Sequence, residues 1–404
     1  AESLLGNGET IRTEGTRFLQ VAAIVTGKPS DELYELFDDY FNNTNLDFLY
    51  EYTYNSSVVN HMEGLNKNNA AVFIANALGD SLFTPNQFLD FFTDSLTVSS
   101  KHLEFAPGDH AGPELEGLLG LPDAVWTRAG EWMDFYLLDD HSVDEFPLTN
   151  TAIAGSVKGD TAPLPKIVLT VMDGDVVESY DSWDEVTTDS TTYHLSGKEE
   201  LRIAPSVAAD ANTPLAVLST GENANITGGV VLITATIDAL VDVQTRFDMN
   251  AISREYGAVF KTVSAVGGSS SVKYRGVPTL KLKVIPYVVS SDSGDISSTN
   301  GTVVVYLLGV NPLTNEGHLF SFSPWTFKGV PALLDGVDLD TVDLEAVTTT
   351  LEIPITVSLY DIPAHYHLAL VVASQDRPLY MNQNPDLSRI SVMQGSTISM
   401  PLHD

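Results

Sequence analysis

The sequence predicts two successive fold classes, an α/β part followed by an all-β part. Between residues 70 and 140, helical patterns alternate with short apolar runs in the order helix, strand, helix, strand, helix, which is typical of α/β structure. From about residue 142 the helical pattern fades, and strand-like runs between turn residues follow. The 404 residues, 43% of them hydrophobic, are enough for two or three packed domains.

The first 65 residues have a helical pattern. Ser30 can cap a helix, and Asp31 and Glu32 favour the positive end of its dipole. The apolar residues that follow at helical spacing form one face, which we expect to pack against the core: Leu33, Leu36, Phe37, Tyr40 and Phe41.

Two strands and a helix are predicted next. Ala70–Ala77 is almost wholly apolar, which favours a parallel strand buried on both faces. Thr84 and Pro85, with a glutamine at position 87, predict a helix that begins at Pro85 and is capped by Thr84. A second strand is predicted over Lys101–Phe105.

Another helix is predicted after Pro122. Its apolar residues recur at helical spacing, so we expect Trp126, Trp132 and Tyr136 to lie in the core rather than to form a substrate platform.

The all-β part follows a linker that is rich in Pro, Gly, Ser and Thr. Many short strands between long polar loops predict a β-sandwich of the jelly-roll type. The predicted domains are a helical segment at 1–65, an α/β segment at 66–141, a linker at 142–165 and a jelly-roll β-sandwich at 166–404. The predicted strands include Lys166–Val171, Gly229–Ile237, Thr279–Val289, Thr302–Val310, Leu351–Leu359 and His367–Ala373.

Composition excludes several classes of function. The net charge of -34, from 54 acidic and 20 basic residues, argues against binding to nucleic acid or anionic membranes, which need a basic face. The absence of cysteine excludes disulfides, thiol catalysis and thiolate metal sites. No apolar run is long enough for a membrane span. The N-terminal residues have no signal-peptide character, and the sequence begins as a mature or processed chain would. We therefore expect a processed, secreted protein in an extracellular or periplasmic location.

Two polar residues follow the predicted strands and indicate a catalytic site. Asp80 comes just after the first strand, and His110 lies in a Pro/Gly loop just after the second. A strand-end Asp followed by a strand-end His is the order of the last two members of a catalytic triad. In such a site the His moves the proton and the Asp orients its imidazole. Asp109 is disfavoured as the acid because adjacent side chains rarely point at each other.

The segments around these residues resemble a known family. Val72–Gln87 and Lys101–Ala111 are similar to the X-Pro dipeptidyl-peptidase and cocaine-esterase-like serine hydrolases. Further similar segments occur in the family's order and cover most of the chain: Trp132–Tyr136, Trp183, Thr192–Leu195 with Gly197, Arg275–Leu282, Asp361–Leu368 without the family's glycine before His365, Ser374–Pro378 and Asn384.

The resemblance implies both a fold and an activity. The fold would be the C-terminal portion of an α/β-hydrolase domain with a remnant of a helical cap, followed by a jelly-roll β-sandwich. The activity would be acyl transfer to water on a small peptide, ester or amide, without a cofactor or a metal. The resemblance implies catalytic roles for Asp80 and His110 alone.

The nucleophilic serine is missing from this sequence. No Gly-x-Ser-x-Gly turn occurs: Gly155–Gly159 has its serine one position early, and Gly267–Ser271 has the pattern of a turn in the β region. We expect the serine on an N-terminal fragment of the same precursor that stays bound without a covalent link. Two parallel strands cannot form a stable sheet alone, and the apolar run at 70–77 requires neighbours on both edges. The alternative is a non-catalytic extracellular binding or structural protein derived from such a hydrolase.

Metal sites have weaker signals. His365 and His367 could share one face of a strand, as zinc ligands do, but no third ligand is evident. Three Asp-rich loops could bind Ca²⁺ through carboxylates, but their spacing favours solvated turns: Asp173–Asp175, Ser291–Asp295 and Asp335–Asp343.

Overall fold

A computed structural model describes most of the chain from residue 45 onward. The described residues are 45–80, 83–108, 124–137, 166–172, 176–197, 199–204, 214–220, 246–289, 296–298, 301–327, 344–375, 384 and 388–403. Several predicted features lie outside these ranges: the helix at 30–41, His110 with Asp109, the linker at 142–165, the strand at 229–237 and the three Asp-rich loops.

The first part of the described chain mixes helices and strands. Its helices are α1 (Leu46–Ser56), a 3₁₀ turn (Val58–His61), α2 (Met62–Asn68), α3 (Pro85–Asp90) continued by a π-helical turn (Phe91–Ser95), α4 (Ala124–Leu137) and α5 (Trp183–Val186). Its strands are β1 (Val72–Ala77), β2 (Lys101–Ala106), β3 (Ile167–Thr170) and β4 (Val177–Tyr180).

These four strands form one sheet in the order β1-β2-β3-β4. β1, β2 and β3 are parallel, and β4 is antiparallel to β3. Parallel neighbours need a crossover connection, and α3 lies between β1 and β2 in the chain, as α4 lies between β2 and β3. The predicted α/β order of helix, strand, helix, strand, helix is therefore confirmed.

The sheet is packed on both faces. On one face, Leu103 and Phe105 of β2 join a buried cluster with Leu89 of α3 and Phe92 of the π-helical turn. On the other face, α4 covers the sheet, and the ring of Trp132 lies 5.9 Å from that of Phe73. Burial on both faces explains why β1 and β2 have runs of apolar residues rather than a simple alternation.

The connection to the second part differs from the expectation. Lys166–Val171 was expected to be the first strand of the β-sandwich, but β3 pairs in parallel with β2. Directly afterwards the Met172 amide donates a hydrogen bond to the Leu359 carbonyl, 2.9 Å away. A four-residue strand next to β2 gains two paired edges, and its short apolar sequence suits a sheet interior.

The second part of the described chain is almost entirely β-structure, with one short helix, α6 (Leu344–Val347). Its strands are β5 (Thr191–Ser196), β6 (Glu200–Arg202), β7 (Pro214–Ser219), β8 (Arg246–Asp248), β9 (Gly257–Thr262), β10 (Val272–Gly276), β11 (Thr279–Val289), β12 (Ile296–Ser298), β13 (Gly301–Val310), β14 (Glu316–Phe327), β15 (Thr349–Pro354), β16 (Ser358–Ile362), β17 (His367–Ala373), β18 (Ser388–Met393), β19 (Thr397–Met400) and β20 (Leu402–His403).

These strands form a 13-stranded sheet and a 3-stranded sheet around a common core. In the larger sheet β11 pairs with β18, β19, β15 and β12, and β13 pairs with β14 and β17, all antiparallel. The smaller sheet has the order β16-β10-β20. Leu280, Leu282 and Val284 are fully buried in this core, which confirms the alternation predicted for β11.

Other predicted elements are confirmed with small differences. The strands predicted at 279–289 and 367–373 have the predicted bounds, whereas the run at 351–359 divides between β15 and β16. α3 begins at Pro85 as predicted, but the Thr84 side chain makes no capping hydrogen bond.

The core prediction for α4 is partly wrong. Trp132 is buried, but Trp126 is 48% exposed and Tyr136 is 36% exposed.

None of the helices in the described ranges combines the length and apolar character needed to cross a membrane.

Candidate functional site

Asp80 lies at the carboxyl end of β1. The strand ends at Ala77, and a tight turn follows in which the Asp80 amide donates to the Ala77 carbonyl at 3.2 Å. The turn places the Asp80 side chain in a buried position, 3% exposed. A buried carboxylate requires hydrogen-bond donors, since its desolvation is otherwise costly.

Both carboxylate oxygens of Asp80 accept hydrogen bonds from nearby groups. The Phe83 amide donates to Oδ1 at 2.7 Å, and the Asn76 Nδ2 donates to Oδ2 at 3.1 Å. One donor lies in β1 and the other follows the Asp80 turn, and together they fix the orientation of the carboxylate.

The loop that follows β2 is bonded to the Asp80 turn. The Leu78 amide donates to the Ala106 carbonyl at 2.8 Å, and the Gly79 amide donates to the Gly108 carbonyl at 2.9 Å. Parallel strands bring their carboxyl ends to one edge of the sheet, so the two loops meet there. Gly108 precedes His110 by two positions, and His110 itself lies outside the described residues.

Gly79 is required where these loops meet. A Cβ at this position would lie 2.7 Å from the Gly108 carbonyl oxygen, which is closer than van der Waals contact permits. The absence of a side chain allows the two backbones to approach each other.

A buried ion pair fixes α4 on the sheet. Arg128 donates from Nε to Glu104 Oε2 at 2.7 Å, and its second nitrogen, Nη2, donates to Oε1. His102 Nε2 lies 3.9 Å from Glu104 Oε2. Burial alone would raise the pKa of Glu104, but the hydrogen bonds and the charge of Arg128 outweigh it, so the pKa is lowered. Glu104 is thus held as a carboxylate that ties β2 to α4.

α3 is fastened to the β-sandwich by one side chain. Asn86 Nδ2 donates to the Ile355 carbonyl at 3.2 Å, and the Val357 amide donates to Asn86 Oδ1 at 2.6 Å. Asn86 follows the Asp80 turn by only a few residues, so the sandwich contributes to the position of that turn.

Asn76 and Glu104 were not among the residues predicted from the sequence. Each is a polar residue inside an otherwise apolar strand, in VFIANA and KHLEFA respectively. That is the signal that could have identified them, because a polar side chain in a buried strand needs a partner.

Both histidines considered as zinc ligands lie in the described part of the chain, His365 in the turn before β17 and His367 at its start, whereas the three Asp-rich loops lie outside that part. His367 Nδ1 lies 2.7 Å from the Thr262 carbonyl oxygen, so this histidine is held in the sandwich by a backbone hydrogen bond. Within the described ranges, no group of three or more His, Asp or Glu side chains is arranged to hold a metal ion.

The structure resembles solved hydrolases, whereas no protein-family model and no curated protein matches the sequence. An aminopeptidase from a marine sediment archaeon, a Thaumarchaeota archaeon, matches with a TM-score of 0.56 and 14% identity over 83% of this chain and 55% of that one. A CocE/NonD family hydrolase from Staphylococcus aureus matches with a TM-score of 0.51 and 13% identity over 84% and 55%. An α-amino acid ester hydrolase matches with a TM-score of 0.53 and 14% identity over 81% and 54%.

These matches define the class of fold. The chain has the fold of the C-terminal portion of such a hydrolase, an α/β part followed by a β-sandwich, as predicted. At this level of identity the similarity concerns the fold alone. The chain spans about 55% of the length of the first two solved structures.

Proposed function

We propose that this chain supplies the acid and the histidine of a serine hydrolase, Asp80 and His110. The observation that carries the proposal is the Asp80 turn, where a buried carboxylate held by two hydrogen bonds lies against the loop leading to His110. His110 would act as general base and then as general acid, and Asp80 would orient its imidazole and stabilise the imidazolium.

The nucleophile in this proposal is a serine outside the given sequence. It would be carried by an N-terminal fragment of the same precursor that binds this chain non-covalently. The reaction would be acyl transfer to water through an acyl-serine intermediate. The serine gives its proton to His110 and attacks the carbonyl carbon, and the leaving group departs with that proton. Water then gives a proton to His110, attacks the acyl-serine and releases the acid, while His110 returns the proton to the serine. A secreted location, extracellular or periplasmic, is part of the proposal and agrees with the acidic, cysteine-free composition.

The substrate class comes from the hydrolases of similar fold. One is an aminopeptidase and another is an α-amino acid ester hydrolase. We therefore propose esters and amides of amino acids as the first substrates to assay, for example p-nitrophenyl esters and p-nitroanilides.

The test uses the protein purified with its bound companion. Asp80→Asn keeps the shape of the side chain and an acceptor oxygen for the Phe83 amide. Its amide group would hold His110 in the wrong tautomer, so kcat should fall about 10⁴-fold. His110→Ala should abolish turnover to a similar degree. Asp109→Asn is the matched control and should leave kcat within a few fold, because this carboxylate has no assigned role.

Three results would contradict the proposal. Full activity of His110→Ala, with an unchanged circular dichroism melt, would refute the role of His110. An inactive Asp109→Asn beside an active Asp80→Asn would move the acid to Asp109. Absence of both turnover and fluorophosphonate labelling in a folded, complete sample would favour the non-catalytic alternative, an extracellular binding or structural protein.

A further inference from the structure

A cavity of about 390 Å³ lies in the β-sandwich, where the parallel strands β6 and β9 end. This volume is within the roughly 300–1,000 Å³ that is typical of small-molecule sites. The described residues that line the cavity belong to the sandwich and its loops, so the cavity shares no residue with the Asp80 turn. Its walls are mainly aliphatic and include Leu201, Ile203, Val263 and Val266.

Two aliphatic side chains form an exposed rim of this cavity. Ile203 directly follows β6 and is 73% exposed, and Val263 directly follows β9 and is 61% exposed. Further in, Leu201 is buried in the core of the sandwich. The lining therefore offers apolar contacts from the rim inward to the core.

Tyr193 of β5 adds a polar group to this lining. The residue is only 6% exposed, and within the described part of the chain its hydroxyl has no protein hydrogen-bond partner. Thr262 differs, because its hydroxyl accepts a hydrogen bond from the Leu368 amide at 3.1 Å. Burial raises the pKa of Tyr193, so the hydroxyl keeps its proton and can donate it. A buried polar group normally has a partner, and a ligand oxygen in the cavity would supply one.

The charges near the cavity favour an uncharged occupant. Arg202 also contributes to the lining, but its Nε donates to Glu200 Oε2 at 2.7 Å, and its Nη2 contacts the same oxygen. This ion pair is neutral as a unit, and the net charge of -34 on the whole chain opposes the approach of anions. A concave site of this volume encloses a small molecule rather than a folded protein.

We propose that this cavity binds a small, uncharged, mainly apolar molecule whose carbonyl oxygen accepts a hydrogen bond from Tyr193. The aliphatic lining would remove the apolar part of such a molecule from water, which stabilises the complex in proportion to the area buried. The Tyr193 hydroxyl would fix its orientation and select molecules that carry an acceptor. This binding site goes beyond the serine hydrolase function and does not depend on it.

The experiment is a titration of the purified protein with Prodan, an uncharged naphthyl ketone whose fluorescence changes in apolar surroundings. Dimethylaminonaphthalene has the same ring system without the ketone and is the matched ligand. Anilinonaphthalene sulfonate is the anionic comparison. The affinity of each ligand is measured by fluorescence, and the melting temperature of each variant is measured by circular dichroism.

We expect Prodan to bind at one saturable site, and more tightly than anilinonaphthalene sulfonate. Tyr193→Phe keeps the ring and removes the donor, so it should weaken Prodan binding about 3- to 10-fold and leave the binding of dimethylaminonaphthalene unchanged. Because the hydroxyl has no protein partner, the variant should keep the melting temperature of the unmodified protein.

The rim supplies a second variant that is independent of Tyr193. Ile203→Asp places a charge at the mouth of the cavity and should weaken the binding of both uncharged naphthalenes several-fold, because a carboxylate is costly to cover with apolar surface. Leu313→Asp is the matched control and should leave every affinity unchanged, since Leu313 is 93% exposed in the turn between β13 and β14. Both positions are exposed, so neither change should prevent folding.

Four results would overturn the proposal. Absence of saturable Prodan binding would exclude the site. Binding that neither Tyr193→Phe nor Ile203→Asp weakens would place the probe on another apolar surface. Tighter binding of anilinonaphthalene sulfonate than of Prodan would show a preference for anions. Equal weakening of Prodan and dimethylaminonaphthalene by Tyr193→Phe, with a lower melting temperature, would show that the hydroxyl has a structural role only.

Discussion

Single residues determine how closely the two site loops approach each other. The Asp80 turn and the loop before His110 are joined by the hydrogen bond from the Gly79 amide to the Gly108 carbonyl. This contact is between backbones, so it cannot be relieved by rotation of a side chain. The distance between the two site loops therefore depends on Gly79, a residue without a proposed catalytic role.

Gly79→Ala should destabilise the protein and reduce any activity of the assembled enzyme. The added methyl group would lie 2.7 Å from the Gly108 oxygen, so the loops must separate, at a cost of about 1–3 kcal/mol. Urea denaturation and kcat measure the two effects.

Gly64→Ala is the matched control for this substitution. Gly64 lies in α2, where a Cβ would meet nothing within 4 Å, and alanine is favoured over glycine in a helix by up to about 1 kcal/mol. The prediction is wrong if both variants have the same stability, or if Gly79→Ala matches the unmodified protein in both measurements.

At the scale of elements, buried and partly buried polar contacts hold the helices against the sheets. The Glu104–Arg128 pair ties α4 to β2, and Asn86 ties α3 to the segment between β15 and β16. The latter contact joins residues that are far apart in the sequence. This contact fixes α3, the helix that follows the Asp80 turn, relative to the β-sandwich.

Asn86→Ala should lower the free energy of unfolding by about 1–3 kcal/mol, because it leaves the Val357 amide and the Ile355 carbonyl without their side-chain partner. Chemical denaturation followed by tryptophan fluorescence measures the change. Asn60→Ala is the control, since Asn60 is exposed, and surface changes of this kind cost less than about 0.5 kcal/mol. Equal effects of the two variants would show that the Asn86 bridge does not stabilise the fold.

At the scale of the whole molecule, the two parts are joined by one charged network. Arg275 of β10 is buried and bonds bidentately to Glu178 of β4, with distances of 2.7 and 3.0 Å. It also donates to the Tyr360 carbonyl and to Asp361 Oδ1, each at 2.7 Å. Tyr180 adds a hydrogen bond to Glu178 Oε2 at 2.8 Å.

The charge state of Glu178 gives this junction a defined pH dependence. Burial alone would raise the pKa of Glu178, but the hydrogen bonds and charge of Arg275, with donors from Tyr180 and Lys273, lower it to about 2. In the unfolded chain a glutamate has a pKa of about 4.3. Because the folded pKa is the lower one, the stabilisation is present above about pH 5 and is lost as the pH falls towards about 2.

Glu178→Gln should remove this dependence. At neutral pH the variant removes the carboxylate that Arg275 contacts through two nitrogens and leaves it the half-exposed carboxylate of Asp361, so we expect a loss of about 1–3 kcal/mol. Between about pH 5 and pH 2 its stability should fall less steeply than that of the unmodified protein. Thermal denaturation across this range is the measurement.

Glu199→Gln is the control for the junction. Glu199 lies 3.2 Å from Arg254, but both side chains are about half exposed, so the expected loss is below about 1 kcal/mol. Parallel pH profiles of Glu178→Gln and the unmodified protein would contradict the assigned role of Glu178.

Much of the fold could be predicted from local patterns. The apolar run of β1, the alternation in β11 and the Pro85 helix start are local signals, and the structure confirms them. The place of β3 could not be predicted, because a short apolar strand fits a parallel sheet and a sandwich equally well. The same holds for the outer face of α4, where Trp126 and Met133 have the spacing of core residues.

For the candidate site, the sequence by itself determined that a buried strand ends shortly before Asp80. It also determined that the given sequence contains no serine nucleophile in a Gly-x-Ser-x-Gly turn. Only the tertiary structure decided which groups hold the carboxylate, that the Asp80 turn is bonded to the loop after β2, and that Arg275 joins the two parts. The physical reason is range: strand and turn preferences act between close neighbours in the sequence, whereas burial, hydrogen-bond partners and ion pairs depend on residues that only folding brings together.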